Sequence, residues 1–194
     1  FSGIRNMKEA FSDKRMNVLF LSIFFTVMGF SFFTQFFDVF MIKRFDYDQR
    51  SIGLLFGYIG IWIAISQGLI TRYVSHYINS STVLKMSIIL TAISLFVISL
   101  PHEDYYIYIL APFISIFQGL NQPNYLTILS NHADSSSQGK VLGINQSLQS
   151  LGISIPPVIA GLIISFNVNF PLWAAALFTF IAWILYLIYS SKNQ

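Results

Sequence analysis

Six apolar runs dictate what this chain is able to fold into. They cover residues 17–42, 52–73, 83–100, 105–129, 141–165 and 172–190, each near the roughly 20 residues that a bilayer core demands. Inside lipid every backbone N–H and C=O has to be paired within its own segment, so runs of this length fold as helices. Composition agrees: 55% of residues are apolar and 10% charged, whereas a soluble domain carries roughly a quarter charged residues. The first run is too long, and too closely followed by others, for a cleaved signal peptide. The expectation is an all-α integral membrane domain of six transmembrane helices over 17–190. A cytoplasmic amphipathic linker at 1–16 precedes it, with Ile4, Met7 and Phe11 at helical spacing opposite Arg5, Lys8, Glu9 and Asp13. A cytoplasmic tail at 191–194 follows.

The basic residues fix an orientation. With both termini in the cytoplasm, Arg5, Lys8, Lys14, Arg15, Arg72, Lys85, Lys140 and Lys192 fall inside, and only Lys43, Arg44 and Arg50 fall outside. That bias is the positive-inside rule. It also accounts for the net charge of +3 without nucleic acid as a partner. The lipid bilayer is the expected partner, in a cell membrane of the bacterial inner-membrane kind. Cysteine is absent, which excludes disulfides and thiolate metal sites. A start at Phe1 rather than Met points to a fragment or an excised domain.

Against this apolar background the amides stand out. Gln35 in the first run, Gln118, Asn121 and Gln122 in the fourth, and Asn145 and Gln149 in the fifth lie where an unpaired amide is costly. Gln118, Asn121, Gln122 and Tyr125 follow i, i+3, i+4, i+7 and share one helical face. Such residues serve either as interhelical glue or as the lining of a wet cavity. Glue returns only about 0.6 kcal/mol per contact, which favours the cavity. Tyr58, Trp62 and Gln67 in the second run are candidates for the same cavity or for packing. Asp38, the only acid within a run, is either a functional carboxylate or an interfacial one neutralised by water, Lys43 or Arg44.

Prolines and glycines add geometry. Pro112 and Pro123 break the backbone ladder and free carbonyls towards a cavity, and the pair Pro156–Pro157 is expected to bend its helix near mid-membrane. Gly53, Gly57, Gly60, Gly143, Gly152 and Gly161 are expected at close helix contacts or hinges. Gly29 and Gly119 stand alone in the first and fourth runs, the second holds four glycines and the fifth four counting Gly139 at its entrance, and the third and sixth hold neither glycine nor amide. That repeated pattern over two triplets of opposite insertion reads as an inverted three-helix repeat. The first two helices of each triplet would pack and line, and the third would face lipid.

The segments Arg44–Phe45, IGLLFGYIGIWIAISQGLI and QGKVLGINQSLQSLGISIPPVIAGLI resemble the C-terminal half of a major facilitator superfamily transporter of the tetracycline- or multidrug-efflux kind. The resemblance implies a further six-helix N-terminal half as partner, a central path for a small-molecule solute, and alternating access. One departure is plain. The loop after the second run keeps Gly68 of the family's Gly-x-x-x-Asp-Arg-x-Gly-Arg-Arg signature. It has His76 near the acidic position, Asn79 in place of a glycine, and Ser81 and Thr82 in place of basic residues.

The expected function is secondary transport of a small amphiphilic solute, exchanged against protons if Asp38 or the other half supplies a carboxylate. The alternative is a self-contained six-helix carrier or channel acting as a homodimer. An enzyme is disfavoured. His76, His102 and His132 are read as solvated loop residues, no pair has metal-ligand spacing, and no phosphate-binding loop is present. No cofactor and no metal is expected.

Overall fold

The computed structural model describes residues 14–132, 137–163 and 166–191. Most of the expected linker and the last residues of the tail lie outside that set. Six helical rods make up the described residues. They are α1 (Lys14–Phe45), α2 (Gln49–Ile65, continued through a π-helical turn Ser66–Ile70 into Thr71–Tyr77), α3 (Ser80–Val97), α4 (Tyr105–His132), α5 (Gln138–Ile163) and α6 (Phe170–Ser191). Four are long and apolar enough to cross a membrane: α1, α2, α3 and α6. The two that fall short among the described residues are α4 and α5, whose amides lower their hydropathy.

Short turns with their own chemistry separate the rods. Between α1 and α2 the chain reverses through Asp46 at φ 54°, a left-handed conformation that aspartate tolerates better than most residues. Asp48 then caps α2 by accepting from Ser51 N at 2.9 Å. The hydrogen bonds from Ser51 hold the Asp48 carboxyl below its ordinary pKa. Asn79 caps α3 in the same way, accepting from Thr82 N at 2.8 Å.

Side chains at one end of the bundle knit separate turns together. Arg44 donates to Asn169 Oδ1 at 3.2 Å, and its guanidinium lies over the ring of Phe40 at 5.6 Å. It is thus committed to the α5–α6 turn rather than to Asp38. Tyr47 donates to Asp104 Oδ2 at 3.0 Å. Burial first, then its bonds to Tyr108 and Asp104, raise the Tyr47 hydroxyl well above its usual pKa.

Packing radiates from α1, which is the most enclosed rod, whereas α2 is the most open. α1 packs on α5 and α6, α4 packs on α2 and α3, and α3 packs on α6. α4 and α5 barely meet. Two apolar clusters fill the bundle. One gathers Phe32, Phe33, Phe37 and Phe40 of α1 with Leu55, Leu95, Ile107 and Leu172. The other joins Leu19, Phe20 and Ile23 of α1 to Leu84, Ile88, Leu129 and Tyr186.

Close approach is set by three glycines. Gly29 lies against Thr179 and Ala175 of α6. A Cβ on Gly119 would stand 2.6 Å from that of Ser66 on α2, and one on Gly152 would meet Val27 and Met28 of α1 at 3.1 and 3.2 Å. The expectation for the others needs correcting. Gly53, Gly57, Gly60 and Gly143 have open space where a Cβ would be, because α2 and α5 turn those positions away from the rest of this chain. The surroundings of Gly161 lie outside the described residues.

The histidine expectation needs correcting too. His132 is the last residue of α4. It is tied by Nδ1 to Ile128 O at 2.9 Å and by Nε2 to the Tyr189 hydroxyl at 3.1 Å. His76 lies in the last turn of α2.

Candidate functional site: an amide-lined cavity

Four helices enclose a concave space of about 690 Å³. Val27, Phe30, Ser31, Thr34 and Gln35 of α1 form one wall, and Gln149, Ile153, Ser154 and Pro157 of α5 the adjoining one. Ile63 and Gln67 of α2 with Gln118 and Gln122 of α4 stand opposite. No residue of α3 or α6 contributes, and no lining side chain is charged. A second hollow of about 610 Å³ lies at the α2–α3 turn beside Lys85 and His132, built from turn hydroxyls rather than from converging amides.

Proline chemistry shapes the α1–α5 wall. Pro157 has no N–H, so the carbonyl of Ile153, one turn back, loses its helical donor. Gln35 Nε2 fills that vacancy at 3.1 Å, joined by Ser31 Oγ at 3.3 Å. Gln35 Nε2 also donates to Ser31 Oγ. A carbonyl can only accept, so the Gln35 amide is held with its nitrogen towards α5 and its oxygen without a partner among the described residues.

Pro112 does the same for α4. It releases Tyr108 O, which Tyr58 Oη of α2 satisfies at 3.2 Å. Tyr58 is therefore outside the cavity, bonded to α4 with its ring near those of Tyr108 and Trp62. Trp62 is half-buried against it and is not a lining residue either.

The shared face of α4 divides. Gln118 and Gln122 reach the cavity, and Gln122 Nε2 lies 3.4 Å from Gln149 Oε1. Asn121 is buried behind them, accepting from Ser87 Oγ at 2.6 Å and donating to Thr91 Oγ1 at 3.4 Å and Gln118 Oε1 at 3.0 Å. Tyr125 is buried as well, its hydroxyl 2.7 Å from Ser22 Oγ and 3.0 Å from Thr26 Oγ1. Asn145 of α5 is 4% exposed, and its Oδ1 has no hydrogen-bond partner among the described residues. Asp38 is half-buried, accepts from Val39 N at 2.7 Å and does not line the cavity. Pro156 is buried and Pro157 exposed.

Ser31, Thr34 and Ser154 were not among the expected lining residues, and Gln67, open between lining and packing in the sequence, reaches the cavity. Serine and threonine in a membrane helix bond their own backbone often enough to pass unnoticed. Gln67 sits on the π-helical turn, which adds a residue to the helical repeat and re-aims the side chains around it. No periodicity argument built on 3.6 residues per turn places it.

The family model described as Major Facilitator Superfamily matches residues 3–193. The chain belongs to that family. Relatives include Multidrug resistance protein 1 of Bacillus subtilis (strain 168), 26% identical over 81% of this chain and 40% of its own length. Another is the proton-coupled antiporter flippase LtaA of Staphylococcus saprophyticus, 30% identical over 74% of this chain and 37% of its own length. The chain therefore spans about two fifths of these curated relatives.

Among solved structures, the human organic anion transporter MFSD10 (TETRAN) superposes with a TM-score of 0.81 at 17% identity, over 88% of this chain and 40% of that one. The peptide transporter POT, in complex with sulfate, gives 0.80 at 16% identity, over 92% and 38%. At that identity the likeness is one of fold. This major facilitator chain is a helical membrane protein from a family of transporters.

Proposed function

We infer that the chain forms the C-terminal half of a secondary transporter. It would carry a small amphiphilic solute by alternating access, with six spans and both chain ends in the cytoplasm. The observation that carries the reading is the cavity itself. Five glutamines, Gln35, Gln67, Gln118, Gln122 and Gln149, converge from four helices on an uncharged space with phenylalanine and isoleucine beside them. Sites for drug-sized ligands are concave and largely apolar with a few placed polar groups. An uncharged lining suits a solute that is polar at one place and oily at another.

The packing supports two three-helix repeats. Exchanging α1, α2, α3 with α4, α5, α6 turns the α1–α5 contact into α4–α2 and the α1–α6 contact into α4–α3, and leaves α3–α6 unchanged. Each leading helix thus packs on the second and third helices of the other triplet. The exposed faces of α2 and α5, with Leu54, Ile61, Leu69 and Leu151, Ile153, Val158 uncovered, suit a second half as neighbour. The relatives' names, a multidrug resistance protein and a proton-coupled antiporter, support efflux against protons.

The test is transport by the intact protein in proteoliposomes under an imposed proton gradient, followed with a fluorescent amphiphile. Gln118→Leu abolishes or redirects movement while leaving insertion unchanged. Unaltered transport by that variant would remove Gln118 from the site.

A further inference from the structure

Asn121 lies outside the cavity, yet its hydrogen bonds determine which end of the Gln118 amide the cavity sees. The direction of the relay follows from counting donors. Thr91 Oγ1 gives its single proton to Ser87 O one turn back, at 2.7 Å. Its oxygen can then only accept, so Asn121 has to turn its NH2 towards Thr91. The Asn121 carbonyl consequently faces Ser87 Oγ at 2.6 Å, whose one proton is shared between Asn121 Oδ1 and Leu84 O at 3.2 Å. The second Asn121 proton goes to Gln118 Oε1 at 3.0 Å. One lone pair of the Gln118 oxygen is thereby engaged and the oxygen is held towards Asn121, so its NH2, without a partner among the described residues, is the end turned to the cavity.

All the anchoring atoms are enclosed: Ser87 is 1% exposed, Thr91 0% and Asn121 1%. Reversing the Gln118 amide would set its NH2 against the Asn121 NH2 and leave a buried donor unpaired. On the facing wall the carbonyl released by Pro157 fixes Gln35 the opposite way, oxygen outward.

We propose that Asn121 is a positioning residue that locks Gln118 with its NH2 towards the cavity, so that the α4 wall selects solutes presenting a hydrogen-bond acceptor such as a carbonyl or ether oxygen. This deepens the transport reading of the same cavity and rests on it for the word solute. The lock itself does not depend on that reading. With Gln35 offering an acceptor from α1, these two amides are poled across the cavity, donor on α4 and acceptor on α1, while Gln122 and Gln149 bond to each other. A solute carrying an amide or alcohol between apolar groups satisfies both walls. A bare ammonium satisfies only one.

The experiment reads the lock and the selection separately. The intact protein, labelled with 13C at the glutamine side-chain carbonyls, is placed in nanodiscs, and Gln118→Leu identifies the Gln118 signal by its loss. Asn121→Leu is expected to move that signal, and Thr91→Val to move it the same way by less, while the other glutamine signals hold. On the same samples two fluorescent probes are titrated: dansylcadaverine, whose ammonium only donates, and its N-acetyl derivative, whose carbonyl accepts. The acetyl-to-ammonium affinity ratio falls about tenfold in Asn121→Leu, the worth of one hydrogen bond.

A Gln118 signal indifferent to both variants overturns the lock. A signal that moves while the ratio stays constant overturns its role in selection. Failure of both probes to bind the unaltered protein, with the signal responding as expected, overturns the transport reading and upholds the lock. Should Asn121→Leu not reach the membrane, Thr91→Val carries the test, since it removes one oxygen at nearly constant volume.

Discussion

Two stretches of α4, two turns apart on one face, meet opposite fates. At Tyr125 the helix is pressed against α1, and the phenol hydroxyl is consumed by Ser22 and Thr26. At Gln118 α1 stands across a cavity instead, and the amide is half-buried with its nitrogen unpaired among the described residues. Helical phase is the same for both, so phase does not decide between lining and glue. What decides is whether the neighbouring rod supplies hydroxyls at contact distance or stands off. The sealed stretch holds the bundle shut, and the open stretch is where a solute has room.

The largest effect expected from this contrast is on folding. Gly119 sets how near α2 comes to the open stretch, through Ser66 and the Ser66 Oγ bond to Ile116 O at 2.6 Å. Gly119→Leu forces four heavy atoms into that contact, and overpacking costs about 1–3 kcal/mol even for extra methylenes. The variant should lose its monodisperse peak in detergent chromatography. Gly57→Leu, facing open space, should keep it. Equal damage from both would mean that the α2–α4 approach is not what positions the wall.

Next comes the exchange of roles between the two stretches. Tyr125→Phe removes the phenol hydroxyl from Ser22 and Thr26, whose own protons stay bonded to Ala182 O and Ser22 O, and should lower stability by about 0.5–1.5 kcal/mol, seen as a fall in thermal midpoint, with solute preference unchanged. Gln118→Leu should do the reverse: transport is lost or redirected and the midpoint stays close to that of the unaltered protein. If Tyr125→Phe altered preference without altering stability, the sealed stretch would have to be counted as part of the site.

How much of this was legible beforehand depended on the kind of information each residue carries. The helical class followed from the lengths of the apolar runs, and family membership from the α2 and α5 segments. Convergence of Gln118, Gln122 and Gln149 was within reach of spacing arguments, because amides in lipid have few alternatives. The fate of Asn121 and Tyr125 was not. It turns on Ser87, Thr91, Ser22 and Thr26, small residues that look innocuous in a hydrophobic run. Tyr58 was misplaced for a related reason, since its partner is a carbonyl released by a proline four residues further along another helix. Glycine spacing misled as well. It marks where a helix could be approached, and only a neighbour's presence shows where it is: at Gly29, Gly119 and Gly152, not at Gly53, Gly57 or Gly60.

A smaller effect concerns those open glycines. Gly57→Ala adds one methyl to empty space and should change the thermal midpoint of the bundle by no more than an exposed substitution does, about 0.5 kcal/mol either way. In the intact protein the same methyl sits on the face assigned to the second half, so a modest loss of transport rate is expected there. A rate equal to the unaltered protein would place that face against lipid.

The smallest expected effect is none. Asp38 lies one turn beyond Gln35 on α1, its carboxylate accepting from Val39 N rather than from an arginine or lysine, and it does not line the cavity. Proton coupling requires that solute and proton compete for, or exchange through, a shared region, and Gln35 rather than Asp38 is the α1 residue in that region. Asp38→Asn should therefore leave the midpoint of the transport pH profile where it was, measured as initial rate across a pH series at fixed gradient. A displaced midpoint would put the titrating group on α1, beyond the open stretch, and would extend the functional region towards the α1–α2 turn.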